Sequence, residues 1–511
     1  MDRTSKSIKN IVYAIIVQGV TTVTSFITRT ALIKTLGIEA VSINGLFTEV
    51  IAMLSLAEMG VGTAIGYNLY KPLAENDREK IAQLMKLFKR AYQIIAAVTL
   101  VIGLAITPWI QNLVNDVEYS TAYIRVVYIL FVVQTTATYL FAYKTTLLNV
   151  DQRKYIVSII TLTVKVIGMI VLVLILTMTH NYLLYLTANI FVNLSVNIIA
   201  SYVVDKEYPF IKRGGTLPAS ERKQVFSNIK NLFIRTLSGR ITNSTDNILI
   251  STLVGTLQVG VYSNYALFFN VVKQMGNQLV GGITGSLGNL MAIEEPEHCE
   301  KTLSRLTFIF FALASLASFG LYMCLPSIVE IWIGKEFLLD EISLMICCYV
   351  ILLEFSAKPL WEIMTVSGLF SKDKNISIAG STVNLIVSII LGKALGLAGI
   401  FIGTICTYVI QIIMKSGLLY RDRLHLNVRP YYLMWGKMNT VSITAFFILH
   451  VIRKNLLIRS CWISVIVYGL IATIMWFLLM CIFYSRTSEF GYLCKLVSNK
   501  ISMLKRNSEH G

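Results

Sequence analysis

Charge is scarce in this chain. Only 14% of its 511 residues are Asp, Glu, Lys or Arg, whereas 55% are hydrophobic and the mean hydropathy is +0.67. Because a soluble domain carries about 25% charged residues, this composition excludes an ordinary soluble protein. The few charges lie in short clusters between apolar runs of roughly twenty residues, the length that a helix needs to cross a bilayer. The sequence therefore predicts an all-α membrane protein.

Cysteine and histidine are also few, with 8 and 5 residues respectively. The cysteines form no CxxC motif and do not cluster with histidine, so the sequence predicts no metal site, no disulfide framework and no cofactor. No nucleophile–base arrangement and no DxD motif is present. We therefore predict that the chain is not an enzyme and has no catalytic residues.

Acidic residues are fewer than basic ones, 28 against 45, which gives a formal net charge of +17. In a chain this apolar, the excess indicates membrane topology rather than a nucleic-acid partner. If the N-terminus is cytoplasmic, most of the basic residues fall in cytoplasmic segments, as the positive-inside rule expects. Both termini are then predicted to be cytoplasmic. The exceptions are Arg453, Lys454 and Arg459, which fall in the last external loop.

The apolar runs predict about fourteen transmembrane helices. The runs cover residues 11–35, 43–70, 91–108, 123–148, 156–178, 182–204, 229–253, 261–290, 306–326, 343–366, 376–393, 397–419, 439–452 and 461–484. The thirteenth run is the shortest, so the last pair of helices is the least clearly defined. External loops are short, and no segment is long enough for a soluble domain.

The chain also repeats itself weakly after about 220 residues, as a parallel repeat of helical lobes would. Three elements recur in order: Ile8-Lys9-Asn10 as Ile229-Lys230-Asn231, Leu36-Gly37 as Val254-Gly255, and Gly62 as Gly282. This repeat predicts two lobes of about six helices each, with two further helices appended at the end.

These lobes set the predicted domain boundaries. The N-lobe covers residues 1–204 with helices 1–6, and a cytoplasmic linker covers 205–228. The C-lobe covers 229–419 with helices 7–12, and residues 420–511 hold helices 13–14 and a cytoplasmic tail.

Charged side chains also lie inside the predicted helices. Such a residue near the middle of a helix costs about 2.5–3.5 kcal/mol on insertion scales, so it normally faces water or a partner. The basic ones are Arg29, Arg125, Lys144, Lys165, Arg235, Arg240, Lys273 and Lys358, and the acidic ones include Glu49, Glu58, Asp246, Glu354 and Glu362. Several belong to polar stripes at helical spacing on helices 1, 2, 5, 7 and 8, as expected if these helices line a shared interior.

Two interpretations of these stripes stay open. Single Ser, Thr and Asn residues commonly join membrane helices through hydrogen bonds, and some charges can form buried pairs. Arg29, Arg235, Arg240, Lys165 and Lys273 have too few acidic partners at similar depth to be neutralised in this way. They predict a net-positive, watery cavity that binds an anion such as a phosphate or an acidic sugar.

Several short segments of the chain have the pattern of a known family. These segments are Leu54–Gly62 leading to Leu69–Ala74, Tyr143–Leu148 running into Asp151–Tyr155, Ser244–Ser251 with Val259–Tyr265, Gly368–Phe370, and Leu395–Thr404. They resemble bacterial polysaccharide flippases, the Wzx-like branch of the multidrug/oligosaccharidyl-lipid/polysaccharide (MOP) superfamily. The resemblance extends from about residue 8 to residue 420 and is specific at these segments.

The resemblance implies a two-lobed, V-shaped transporter of a bacterial cytoplasmic (inner) membrane. Such a protein moves undecaprenyl-pyrophosphate-linked repeat units to the outer leaflet by alternating access, for capsule, exopolysaccharide or O-antigen synthesis. Expected partners are the lipid-linked oligosaccharide, membrane lipid, and a polymerase or glycosyltransferase of the same pathway. Coupling to a proton or sodium gradient is implied only by analogy, because the sequence shows no clear ion site.

On this hypothesis Arg29, Arg235, Arg240 and Lys273 attract the pyrophosphate or acidic sugars in a cationic lumen. Lys165 and Arg125 extend the set in the N-lobe. Asp246 and Glu58 serve as counter-charges or as protonatable switches that release an arginine when the lobes move. The predicted substrate-binding residues are therefore Arg29, Arg235, Arg240, Lys273, Lys165 and Arg125, and the predicted counter-charges or switches are Asp246 and Glu58.

Three alternatives remain. A cation-coupled multidrug exporter of the same superfamily should offer acidic or aromatic groups to organic cations, whereas helix 1 here carries Arg29 and no carboxylate. A membrane polymerase, ligase or glycosyltransferase of the same pathway needs catalytic groups in a sizeable loop. A partner-assembly protein without transport activity is disfavoured by the polar interior.

Overall fold

A computed structural model describes residues 3–55, 61–151, 153–213, 215–223, 225, 245–456, 458, 461–495 and 498. These residues form helices and no strands, which confirms the predicted all-α class. The helices are α1 Arg3–Leu54, α2 Val61–Ala74, α3 Arg78–Ile106, α4 Thr121–Val150, α5 Lys154–Thr179, α6 Tyr182–Glu207, α7 Asp246–Leu253, α8 Thr256–Ile293, α9 Pro296–Ile333, α10 Glu341–Val366, α11 Phe370–Leu395, α12 Leu397–Leu419, α13 Arg429–Asn455 and α14 Trp462–Leu479.

Ten of the described helices are long and apolar enough to cross a membrane, so the chain is a multi-pass membrane protein. The predicted count of fourteen is not confirmed by this number. α8 and α13 are long enough to span but less apolar than the ten, because α8 carries polar residues such as Asn270, Lys273 and Asn277. The described parts α2 and α7, of 14 and 8 residues, are too short to qualify.

The chain divides into two compact units, Met1–Gly260 and Val261–Gly511. In the first unit, α1 packs against α5, α3 against α4, and α6 against both α4 and α5. A buried cluster in this unit joins residues of α3, α4 and α6, including Phe88, Leu147 and Val204. The predicted division into lobes at residues 204 and 229 stays a prediction.

In the second unit, α9 packs against α10 and α14, and α12 packs against α10 and α11. A buried cluster in this unit joins residues of α9, α10, α12 and α13, including Leu303, Leu360, Ile412 and Tyr431. The appended helices α13 and α14 therefore pack against the rest of their unit through α9.

At two places where the sequence predicts a loop between helices, the structure has only a very short turn that contains a glycine. The sequence predicts separate helices over 11–35 and 43–70, but α1 runs to Leu54 and is interrupted only at Gly37, with φ 76° and ψ −171°. Gly255 ends α7 in the same way, with φ 138°. Because glycine adopts positive φ without steric cost, one residue is enough to reorient the chain. The predicted repeat aligns these two glycines, and both have the same backbone role.

The turn between α4 and α5 is fixed to the end of α6 by charged and polar contacts. Lys144 Nζ lies 2.7 Å from Asp205 Oδ1, and Arg153 Nη1 lies 2.5 Å from Glu207 Oε2. The Tyr208 hydroxyl donates to Asp151 Oδ2 at 2.5 Å, and burial raises the pKa of this tyrosine. The family-like segment at this turn therefore holds three helices together at one end of the unit.

Arg453 is an exception to the predicted charge pattern, and its contacts give it a structural role. Pro326 lies inside α9 and has no N–H, so the carbonyl of Tyr322, four residues earlier, loses its helical hydrogen bond. Arg453 Nη1 donates to that carbonyl at 2.9 Å, and Arg453 Nε lies 4.0 Å from Glu341 Oε1. The arginine thus supplies the hydrogen bond that the Tyr322 carbonyl lacks, and it joins α13 to α9.

Arg453→Met is therefore expected to lower the free energy of unfolding by about 2 kcal/mol, because a buried carbonyl loses its donor. The measurement is the unfolding midpoint of the purified protein in detergent. Lys454→Met is the matched control, since Lys454 is the exposed neighbour. Equal midpoints for the two variants would contradict a role for Arg453 at the proline break.

Candidate functional site

A charged cluster in the second unit joins α8, α10 and α12 within the apolar part of the chain. Lys273 Nζ lies 2.9 Å from Glu354 Oε2, and Lys358 Nζ lies 3.6 Å from Glu354 Oε1. The Tyr408 hydroxyl donates to the same carboxylate at 3.2 Å, and Lys358 Nζ donates to Asn277 Oδ1 at 2.7 Å. With both lysines protonated, the three charged side chains carry a net charge of one positive unit.

Helical spacing places these groups opposite each other. Lys273 and Asn277 are four residues apart on α8, and Glu354 and Lys358 are four apart on α10, so each pair lies on one face of its helix. Gly276 allows the two helices to approach, because a Cβ there would lie 2.7 Å from Lys358 Cε. The exposure of the side chains falls from 31% at Lys273 to 14% at Glu354 and 7% at Lys358. Lys273 is therefore the most exposed member of the cluster.

In the first unit, the predicted site residue Arg29 lies on α1 and is partly buried. Its Nη2 lies 3.5 Å from the carbonyl of Gly260, and Tyr182 and Tyr185 of α6 lie near its guanidinium. Asn44 Nδ2 donates to the Tyr182 hydroxyl at 3.2 Å, so the surroundings of Arg29 are polar.

Lys165 and Arg125 contact the chain itself. Lys165 Nζ on α5 lies 3.5 Å from Asn193 Oδ1 on α6. Arg125 Nη2 donates to Gln111 Oε1 at 3.1 Å and to the carbonyl of Pro108 at 3.3 Å, and so holds the segment between α3 and α4. The contacts of Arg125 are those of a residue that fixes a turn.

The other predicted site residues are only partly covered by the structure. Asp246 begins α7, where a carboxylate is favoured by the helix dipole. Arg235, Arg240 and Glu58 lie outside the described residues. Their roles as ligand or counter-charge residues stay predictions.

Two groups of polar residues were not selected from the sequence. Lys358 and Glu354 were noted as charges within helices but were not assigned to the site, since their pairing with Lys273 depends on a tertiary contact. The carboxamides Asn189, Asn193 and Asn197 of α6 were missed, although their spacing of four residues in an apolar helix marks one polar face. Among the described residues, no group of three His, Cys, Asp or Glu could hold a metal ion.

The fold is that of MOP-superfamily transporters. The structure matches "Lipid II flippase MurJ, inward closed conformation" with a TM-score of 0.69 and 11% identity, over 93% of this chain and 99% of that chain. It also matches "Inward-facing conformation of a multidrug resistance MATE family transporter of the MOP superfamily" with a TM-score of 0.61 and 14% identity, over 81% and 98%. A mutant of the Vibrio cholerae MATE transporter VcmN matches with a TM-score of 0.57 and 13% identity, over 83% and 99%.

Residues 7–282 match the family model described as "Polysaccharide biosynthesis protein". The chain belongs to this polysaccharide biosynthesis protein family. No curated protein matches its sequence. The family and the fold confirm the resemblance predicted from the sequence.

Proposed function

We propose that the chain moves undecaprenyl-pyrophosphate-linked oligosaccharide repeat units from the inner to the outer leaflet of a bacterial cytoplasmic membrane. The family supports a role in polysaccharide synthesis, and the fold is similar to that of a lipid II flippase. The product would be a capsule, an exopolysaccharide or an O-antigen. Both termini would be cytoplasmic, and transport would proceed by alternating access, with a proton or sodium gradient as the driving force.

The observation that carries this proposal is the cation at Lys273, which lies within an apolar region and is the most exposed member of its cluster. A pyrophosphate is an anion with several acceptor oxygens, and it suits an ammonium or a guanidinium that already lies away from bulk water. Arg29 supplies a second partly buried cation in the first unit. We assign both to the substrate headgroup, and Arg235 and Arg240 would extend this set.

Multidrug export is the second candidate, because MATE transporters share the fold. An exporter of organic cations needs anionic or aromatic groups at its site. The cluster of Lys273, Glu354 and Lys358 carries more positive than negative charge, and Arg29 is a cation as well. These charges favour an anionic substrate.

Deletion of the gene in its host tests the proposed substrate. We expect the lipid-linked oligosaccharide to accumulate in the cytoplasmic leaflet, and restored wild type to clear it. Arg29→Ala and Lys273→Ala should each slow clearance roughly ten- to a hundredfold, the effect of losing one hydrogen bond to a charged group. The readout is the fraction of intermediate that a membrane-impermeant glycosidase or lectin reaches from outside.

Arg222→Ala is the matched control, because Arg222 is exposed and lies between the predicted lobes. It should clear the intermediate at the wild-type rate. If all variants clear the intermediate at the wild-type rate, the flippase function is supported, but Arg29 and Lys273 have no role in its mechanism. Unchanged sidedness combined with greater sensitivity to cationic drugs would replace the proposal with drug export.

A further inference from the structure

A row of carboxamides runs along one face of α6. Asn189, Asn193 and Asn197 are four residues apart and therefore lie on the same side of the helix. The opposite side carries large exposed apolar residues, among them Phe191 at 65%, Ile198 at 50% and Tyr202 at 69% exposure. In a membrane helix such an apolar side faces lipid. The amide row consequently faces away from lipid, towards α4 and α5.

The amide side of α6 is tightly packed at its two ends and looser in the middle. Tyr182 and Leu186, before the row, are 2% and 1% exposed, and Ala200 and Val204, after it, are fully buried. All of these residues lie on the same side of the helix as the row. The three asparagines between them are only partly buried. The amide side of α6 is therefore least tightly packed at its middle, where its side chains are polar.

The hydrogen bonds of the row are mostly made within α6. Asn193 Nδ2 donates to Asn189 O at 2.8 Å, and Asn197 Nδ2 donates to Asn193 O at 3.2 Å. The contacts to other helices are longer: Asn189 to Gln134 of α4 and Lys165 of α5 to Asn193 are both 3.5 Å. Such distances exceed the usual range of 2.7–3.2 Å for a strong bond. Asn193 Nδ2 also donates to Asn189 Oδ1 at 3.0 Å, so the row bonds chiefly within α6 and contributes little to joining the helices. Because a carboxamide has two donors and an acceptor oxygen with two lone pairs, each amide keeps part of its hydrogen-bonding capacity for a ligand.

The chemistry of the amide row suits a hydroxyl-rich ligand. Each carboxamide offers two donors and an acceptor oxygen, as a sugar hydroxyl requires. Lys165 adds a cation that has no carboxylate within 4.0 Å among the described residues of the chain. A pyrophosphate would favour a denser cluster of cations, and an organic cation would favour carboxylates or aromatic faces.

We propose that Asn189, Asn193, Asn197, Gln134 and Lys165 form a sugar-binding subsite for the oligosaccharide of the transported lipid. This subsite rests on the proposed function and adds that different residues bind the two parts of the lipid's headgroup region, the pyrophosphate and the sugars. The cations at Arg29 and Lys273 bind the headgroup, whereas the amide row binds sugar hydroxyls.

The test compares two lipids that differ only in the sugar. Purified full-length protein in nanodiscs is titrated with undecaprenyl pyrophosphate and, separately, with lipid-linked oligosaccharide extracted from the deletion host, and binding is followed by the shift in unfolding temperature. Wild type should bind the oligosaccharide lipid more tightly. Asn193→Leu should weaken that binding roughly tenfold per lost hydrogen bond and leave undecaprenyl pyrophosphate unaffected. Asn197→Leu is a second variant in case Asn193→Leu does not fold.

Asn439→Leu is the control, because Asn439 is a buried amide of a membrane helix that accepts from the Tyr349 hydroxyl at 2.8 Å. It should lower stability without changing the difference between the two lipids. The subsite is wrong if the row variants keep the wild-type preference for the oligosaccharide lipid, or if wild type has none. Failure of wild type to bind either lipid would instead overturn the proposed function.

Discussion

Glu354→Gln is expected to cost about 3–5 kcal/mol of stability, among the largest effects of any single substitution in this chain. The change removes the carboxylate that Lys273 and Lys358 contact at 2.9 and 3.6 Å, and the Lys358 side chain is only 7% exposed. An ammonium left without its counter-charge in an apolar region must lose its proton or admit water. The measurement is the free energy of unfolding from an SDS titration of the purified protein.

A second substitution tests whether the loss of stability comes from lysines that are left without a counter-charge. Replacing Lys358 with Met in the Glu354→Gln background removes one of the uncompensated charges, so the double variant should be more stable than Glu354→Gln alone. Glu362→Gln on the same helix is the control, because this partly exposed residue has no ion pair within 4.0 Å among the described residues. Equal losses for Glu354→Gln and Glu362→Gln would show that the cluster is not an electrostatic unit.

The length and spacing of apolar runs were enough to predict the fold class, because crossing a bilayer constrains every helix in the same way. The boundaries between adjacent helices were less predictable. Around Gly37 the sequence indicated a loop of several residues. In the structure a single residue interrupts the helix, because the non-helical backbone angles are confined to Gly37. Positive φ is a property of the folded chain, and a glycine in the sequence permits it without requiring it.

The candidate site shows a similar limit. Helical spacing identified Lys273 and Asn277 as one polar face of α8, but it could not show that Glu354 and Lys358 lie opposite. That contact joins residues about eighty positions apart, and local periodicity carries no information on such pairs. The asparagines of α6 were overlooked for another reason: their spacing is visible in the sequence, but the search followed charged residues, and neutral amides are also common between membrane helices.

Gly399→Ala is the other substitution expected to have a large effect, at about 3 kcal/mol. α11 and α12 are joined by a single residue, Gly396, with φ 61° and ψ −135°, and they pack closely from that turn onward. A Cβ at Gly399 would overlap the carbonyl of Leu391 and lie 2.7 Å from the amide nitrogen of Gly392. Both neighbours are backbone atoms, which cannot rotate away as a side chain does, so the two helices must move apart.

The matched control for this prediction is Gly320→Ala in the middle of α9, where a Cβ would have no atom within 4 Å. Alanine has a higher helix propensity than glycine by about 1 kcal/mol, so this variant should unfold at the wild-type midpoint or above it. The two substitutions make the same chemical change in two membrane helices, and their effects on the SDS unfolding midpoint should have opposite signs.

If Gly399→Ala is as stable as Gly320→Ala, the first turn of α12 does not approach the backbone of α11 as closely as the structure places it. A loss confined to Gly399→Ala would instead explain why the family-like segment Leu395–Thr404 has glycine here: the backbones of the two helices meet with no room for a side chain.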